Sequence, residues 1–108
     1  MNQFYHNDVI GMKEAQYINH HQSEFLKYLK SRFTLIHLSN FFFRDFHYGV
    51  MSYLEDHGMK LKYYDAEKVA REVGDALEKN GIFKKIDYQS WLLIYPEFAL
   101  PRIEKKIS

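Results

Sequence analysis

The stretch that decides the fold is residues 65–96, which read DAEKVAREVGDALEKNGIFKKIDYQSWLLIYP. Apolar residues in its first half recur every three or four positions, which is the period of one helix face. Asp65 can accept hydrogen bonds from the free N–H groups of a first turn, and Tyr64 and Val69 have the spacing of a hydrophobic staple. Gly81 favours a left-handed C-terminal ending. We therefore predict a helix over residues 65–80, whose buried stripe consists of Ala66, Val69, Ala70, Val73 and Leu77.

After Gly81 the period changes from helical to extended. Residues 82–86 and 90–95 are short β-prone runs, and Asp87-Tyr88-Gln89 separates them. Pro96 cannot donate to a strand ladder, so it ends the second run. We predict a β-hairpin in which Trp91, Leu93 and Tyr95 face one side.

Two further helices are expected before this stretch. Residues 13–32 place Ile18, Phe25 and Leu29 on one stripe, and a second helix runs from Ser39 or Asp45 to His57, with Gly58 as its stop. Residues 1–12 are a loose lead-in and residues 97–108 a tail. The 108 residues form one domain.

Three helices followed by a C-terminal β-hairpin make an α+β, mostly helical fold. This order is the outline of a winged helix, in which the hairpin is the wing. The alternative is a helical bundle with a β appendage.

The run from Ala70 to Phe83, AREVGDALEKNGIF, resembles the last helix and turn of DEP domains. That winged-helix family commonly shows Ala, an aliphatic–Gly pair, Leu, and Gly followed by two apolar residues at this spacing. DEP domains are protein-interaction and membrane-targeting modules. The resemblance therefore implies a winged-helix scaffold and a binding role without chemistry, and it assigns no contact residues.

Composition argues against several classes of function. The chain has 15 basic and 14 acidic residues and a net charge of +1, so no global field favours nucleic acid or a membrane. It contains no cysteine, no secretory signal and no membrane-length apolar run, so we expect a cytoplasmic protein. Its six histidines show no zinc-ligand spacing, and no catalytic or phosphate-binding motif is present. We expect no metal, no cofactor and no enzymatic activity.

Among the sequence features that bear on function, the consecutive aromatic residues give the most information. Consecutive aromatics cannot all point inward from one helix, because neighbours diverge by about 100°. Aromatic side chains left outside a core are enriched at protein interfaces. The competing interpretation is that the Phe run covers a core edge from a loop. The candidate protein interface consists of Phe41, Phe42, Phe43, Tyr63 and Tyr64.

Charges bear on a nucleic-acid role. On the outer face of the helix over residues 65–80, the i,i+4 pairs Glu67–Arg71 and Asp75–Lys79 are expected to form ion pairs, and acidic residues outnumber basic ones. Such a face repels phosphates. Lysines on the wing are typical of an ordinary exposed edge strand; the competing interpretation is that basic residues of the wing and tail form a patch for an anionic partner. Its residues are Lys84, Lys85, Trp91, Arg102, Lys105 and Lys106.

The function itself is not encoded in any motif. We predict a non-catalytic module that binds a protein partner or self-associates through the aromatic surface. The alternative is a nucleic-acid-binding winged helix that uses the basic residues of the wing and tail.

Overall fold

A computed structural model describes residues 13–101. The described chain contains helix α1, residues 13–20, and α2, Gln22–Arg32, followed by strand β1, Asn40–Phe42. Helices α3, Phe43–Asp56, and α4, Tyr63–Lys79, come next, then strands β2, Phe83–Asp87, and β3, Ser90–Leu93. A 3-10 turn, Pro96–Phe98, follows β3. The prediction of an α+β, mostly helical fold is confirmed, and no described helix is long and apolar enough to cross a membrane.

The prediction of one helix over residues 13–32 is wrong, because His21 interrupts it. The backbone of His21 lies outside the helical region, at φ −123° and ψ 39°. Its N–H donates to the carbonyl of Ile18 at 2.9 Å, three residues back, which leaves the carbonyl of Tyr17 free. The His21 Nδ1 lies 2.8 Å from that carbonyl oxygen and takes the place of the missing backbone donor. The predicted stripe is nevertheless buried, since Ile18, Phe25 and Leu29 are all inaccessible to solvent.

Helix α3 ends as predicted but begins differently. Gly58, at φ 82°, donates to the carbonyl of Glu55, and Met59 donates to that of Leu54, which is the Schellman pattern. A start at Ser39 or Asp45 is wrong, since Phe43 is the first helical residue and the three residues before it form β1.

Helix α4 begins two residues earlier than predicted. Lys62 precedes its first turn without a side-chain cap, so Asp65 lies within that turn and is not the N-cap. Tyr64 is 76% exposed and therefore does not form a staple with Val69. The C-terminal end agrees with the prediction, because Gly81 adopts φ 77° and Ile82 donates to the carbonyl of Leu77 at 2.9 Å. All five residues of the predicted stripe are buried.

The sheet contains the predicted hairpin and one strand that was not predicted. Its order is β1-β3-β2, antiparallel throughout, with Phe41 opposite Trp91 and Phe83 opposite Leu93. Strand β3 ends at Leu93, two residues before the predicted end. In the described part of the tail Phe98 is buried and Leu100 is exposed. The lead-in over residues 1–12 lies outside the described residues.

The core lies between one face of this sheet and helices α2, α3 and α4. Within this core the Trp91 ring stacks on Phe83, with centroids 4.5 Å apart, and its Nε1–H donates to Glu78 on α4 at 2.8 Å. Gly74 of α4 lies directly against the indole. This contact ties the hairpin to α4 and thereby sets where the hairpin turn lies.

Candidate binding groove

An open groove of about 520 Å³ lies where three parts of the chain meet. These parts are the N-terminal end of α3, the first half of α4 and the turn between β2 and β3. Aromatic and charged side chains both line it, and it brings together residues up to 47 positions apart in the sequence, from Phe42 to Gln89. We refer to it as the α3–α4–turn groove.

A buried histidine joins α3 to α4 beneath this groove. His47 is only 3% exposed, and its Nε2 lies 3.1 Å from the carbonyl oxygen of Tyr63. A carbonyl oxygen only accepts, so Nε2 carries the proton and donates it. The imidazole also packs on the Tyr63 ring, with centroids 4.3 Å apart. His47 therefore holds the start of α4, and with it Tyr63, against α3.

An arginine joins α4 to the hairpin turn across the groove. The guanidinium of Arg71 lies over the ring of Phe43, 3.6 Å from its centroid, and its Nη1 donates to the carbonyl of Tyr88 at 3.2 Å. Cation–π contact and the hydrogen bond together draw the side chain away from its own helix. The predicted ion pair of Arg71 with Glu67 is consequently wrong, since no ion pair within 4.0 Å joins them.

The second predicted pair on the outer face of α4 is wrong as well. Asp75 and Lys79 are not within 4.0 Å of one another, and the ion pairs of residues 13–101 lie elsewhere. One of them, Arg44–Asp45 at 3.7 Å, lies at the groove and involves an arginine side chain that is 79% exposed. The charged side chains on the outer face of α4 therefore face solvent and form no ion pairs with one another.

The structure divides the predicted aromatic interface. Phe42, Tyr63 and Tyr64 are 54%, 51% and 76% exposed, whereas Phe41 and Phe43 are buried and cannot serve as surface anchors. Strand geometry explains why Phe41 differs from Phe42: successive side chains of β1 point to opposite faces, so Phe41 enters the core and Phe42 faces solvent.

Of the three exposed aromatics, two line the groove, Phe42 and Tyr63, while Tyr64 does not. Phe43 lies beneath Arg71 and contributes the platform on which the guanidinium rests.

Sequence reasoning missed Tyr88, which is 72% exposed and completes the groove from the hairpin turn. A signal was available, because large aromatic residues are unusual in turns, where Gly, Pro, Asn, Asp and Ser predominate. Asp87 fixes the turn that presents Tyr88. Its Oδ1 accepts from the N–H of Gln89 and the hydroxyl of Ser90, both at 2.9 Å. The bond from the Gln89 N–H, and then the one from Ser90, lower the pKa of Asp87.

The predicted anionic-partner patch is not assembled by the described residues. Lys84 and Lys85 are exposed on β2, an edge strand, and being adjacent they point to opposite faces. Trp91 was wrongly included in this patch, because it is only 4% exposed. Its ring packs in the core and its Nε1–H donates to Glu78. The remaining members, Arg102, Lys105 and Lys106, lie outside the described residues.

A second polar cluster joins α2 to α3 on another side of the molecule. The hydroxyl of Tyr53 donates to Glu24 at 3.1 Å, and His57 Nδ1 lies 2.7 Å from the carbonyl oxygen of Tyr53. Burial, followed by the Glu24 carboxylate, raises the pKa of Tyr53 above its ordinary value. Within residues 13–101 no group of three or more His, Asp or Glu side chains is placed to hold a metal ion. The cluster is an interhelical brace.

Comparison of the chain with protein-family models, with curated proteins and with solved structures gives no match, so its function is inferred from the α3–α4–turn groove.

Proposed function

We propose that the protein is a non-catalytic, winged-helix-type binding module that receives a segment of a protein partner in the α3–α4–turn groove. The observation that carries the proposal is the placement of three exposed aromatic side chains, Phe42, Tyr63 and Tyr88, around one concave surface. Aromatic residues and arginine are enriched in the anchors of protein interfaces. The cysteine-free composition is compatible with a cytoplasmic site of action.

Chain order supports the winged-helix part of the proposal. Helices α1 and α2, strand β1, helices α3 and α4 and then the β2–β3 hairpin follow one another, and β3 lies between β1 and β2. In this arrangement the hairpin is the wing and α4 the helix beside it. The run from Ala70 to Phe83 that resembles DEP domains faces the core through Val73 and Leu77, so its role here is that of a scaffold.

The polar groups of the groove favour recognition over catalysis. His47 uses its Nε2–H to hold the backbone of Tyr63, and Asp45 lies beside the guanidinium of Arg44. A general base has to be within reach of the proton it removes, and the Nε2–H of His47 and the carboxylate of Asp45 already contact neighbouring groups of the fold. A preformed surface of this kind suits binding.

The nucleic-acid alternative has less support. The exposed face of α4 carries Glu72 and Asp75 without ion-pair partners, which disfavours a phosphate backbone along that helix. A nucleic-acid surface on the hairpin would rely on Lys84 and Lys85, since the core covers Trp91.

The proposal is tested with matched surface substitutions in the full chain. Phe42→Ser and Tyr63→Ser remove groove aromatics, and Leu100→Ser removes another exposed apolar side chain, 68% accessible, that does not line the groove. Affinity capture from cell extract with quantitative mass spectrometry identifies partners of the unsubstituted chain. Sedimentation velocity over a concentration series measures self-association.

We expect both groove substitutions to abolish the same interaction, with circular dichroism unchanged, and Leu100→Ser to retain it. The proposal is wrong if the groove variants bind partners as well as the unsubstituted chain does. It is also wrong if the chain retards duplex DNA in a salt-dependent manner that Lys84→Glu with Lys85→Glu abolishes.

A further inference from the structure

Arg71 is a cation that the fold holds in place without a carboxylate partner. Phe43 lies under its guanidinium at 3.6 Å and the Tyr88 carbonyl accepts one N–H at 3.2 Å, while the ion pairs of residues 13–101 do not include it. Stacking uses the face of the guanidinium and one bond uses part of its edge. The remaining N–H groups stay available in the plane in which arginine binds carboxylates with two parallel hydrogen bonds.

Preorganisation makes such a cation effective in binding. A free arginine side chain loses rotamer freedom when it forms an ion pair, and that loss opposes binding. Here the fold has already restricted Arg71, so an incoming carboxylate encounters a donor group in a set position. The exposed rings of Phe42 and Tyr63 line the same groove.

We propose that the occupant of the α3–α4–turn groove is a peptide segment that carries one Asp or Glu carboxylate bound to Arg71. An adjacent apolar or aromatic side chain of the segment packs against Phe42 and Tyr63. This inference rests on the proposed function and adds the chemistry of the partner.

Charge in the groove selects a single carboxylate over a polyanion. Glu67 lines the groove one helical turn before Arg71, and on the opposite element the carboxylate of Asp45 is paired with Arg44 at 3.7 Å. Nucleic acid carries a phosphate at every nucleotide, so a strand placed on Arg71 brings further negative charge towards Glu67. A peptide places one carboxylate at Arg71 and neutral or basic residues near Glu67, which complements the groove.

The test is selection of displayed random linear peptides against the full chain and three variants of α4, followed by binding of the selected peptides to the Phe42→Ser and Tyr63→Ser variants. Arg71→Gln removes the cation, and Arg71→Glu reverses its charge. Lys68→Glu is the matched control, because it makes the same reversal on α4 at an exposed position that does not line the groove. Thermal denaturation establishes that each variant is folded.

We expect the unsubstituted chain and the Lys68→Glu variant to enrich Asp or Glu at one position beside an apolar residue. The Arg71→Gln variant should keep the apolar preference, lose the acidic one and bind the selected peptides about tenfold more weakly or worse. The Arg71→Glu variant should enrich Lys or Arg at the same position, which a purely structural role of Arg71 does not produce.

The two proposals fail in different ways. Peptides that share apolar residues but no acidic position refute the role of Arg71 and leave the protein-binding groove intact. Failure to enrich any peptide that Phe42→Ser and Tyr63→Ser weaken refutes the groove itself, and the inference about Arg71 with it. An acidic preference that survives Arg71→Glu unchanged also refutes the inference.

Discussion

Replacing Gly74 by alanine sets two physical effects against each other at the contact between α4 and the sheet. Alanine is favoured over glycine inside a helix by about 1 kcal/mol. The added Cβ, however, would lie 2.8 Å from Cζ2 and 3.2 Å from Cη2 of Trp91. Overpacking of this kind costs about 1 to 3 kcal/mol when the neighbour cannot move.

The indole of Trp91 has little freedom to yield. Its Nε1–H is bound to Glu78 at 2.8 Å, Phe83 stacks on it at 4.5 Å, and Phe46 meets it edge-on at 5.1 Å. We therefore place the packing cost in the upper half of its range, so that it exceeds the helix gain. Gly74→Ala should destabilise the protein by about 1 to 2 kcal/mol, and each kcal/mol corresponds to a fall in Tm of roughly 4–8 °C.

A double-mutant cycle isolates the contact. Trp91→Phe removes the two carbon atoms that the new Cβ would meet, so in that background Gly74→Ala should stabilise the protein by about 1 kcal/mol through helix propensity. Urea denaturation of the four proteins gives the free energies of unfolding. If Gly74→Ala stabilises the unsubstituted chain, or if the two substitutions are additive, the close approach of Trp91 to α4 is not what makes glycine necessary.

Three further predictions concern the braces around the groove and core. Gly81→Ala should lower the free energy of unfolding by about 1 to 2 kcal/mol, because alanine is strained at a φ of 77°. The new methyl group would meet no atom within 4 Å, so backbone strain is the whole cost. An unchanged midpoint in chemical denaturation would contradict the left-handed ending of α4. The pKa of Tyr53 is raised in the folded state, so the neutral side chain stabilises the protein below pH 10. That stabilisation is lost as the pH rises further. Tyr53→Phe should cost about 1 kcal/mol at neutral pH through the lost bond to Glu24 and should flatten the alkaline limb of stability against pH. The pKa of Asp87 is lowered in the folded state, so its carboxylate stabilises the protein above pH 3.8, and that stabilisation is lost as the pH falls below this value. Asp87→Asn should therefore weaken the decrease in melting temperature at acid pH. An unaltered decrease would show that the Asp87 carboxylate does not cause it.

The candidate site could be predicted only in part. The consecutive aromatic residues predict that some rings lie outside the core, and Phe42 and Tyr63 do line the groove. Three identical residues carry no period, however, so they do not reveal where a strand ends and a helix begins. That boundary decides that Phe41 is core, Phe42 surface and Phe43 a platform for Arg71.

Features with local causes were determined by the sequence itself. Helix α4 and its stop at Gly81, the stop of α3 at Gly58 and the hairpin after Gly81 follow from periodicity and from backbone freedom over a few neighbouring residues. Chemistry within one or two turns is enough to specify each of them.

Features with distant causes were decided only by the tertiary structure. Strand β1 exists because β3, about 50 residues later, supplies its hydrogen bonds. Arg71 does not pair with Glu67 because its charge is better stabilised by the Phe43 ring and the Tyr88 carbonyl. The packing of Trp91 on α4 brings both groups close to it. An i,i+4 pair contributes only a few tenths of a kcal/mol in water, so contacts made across the fold easily override it.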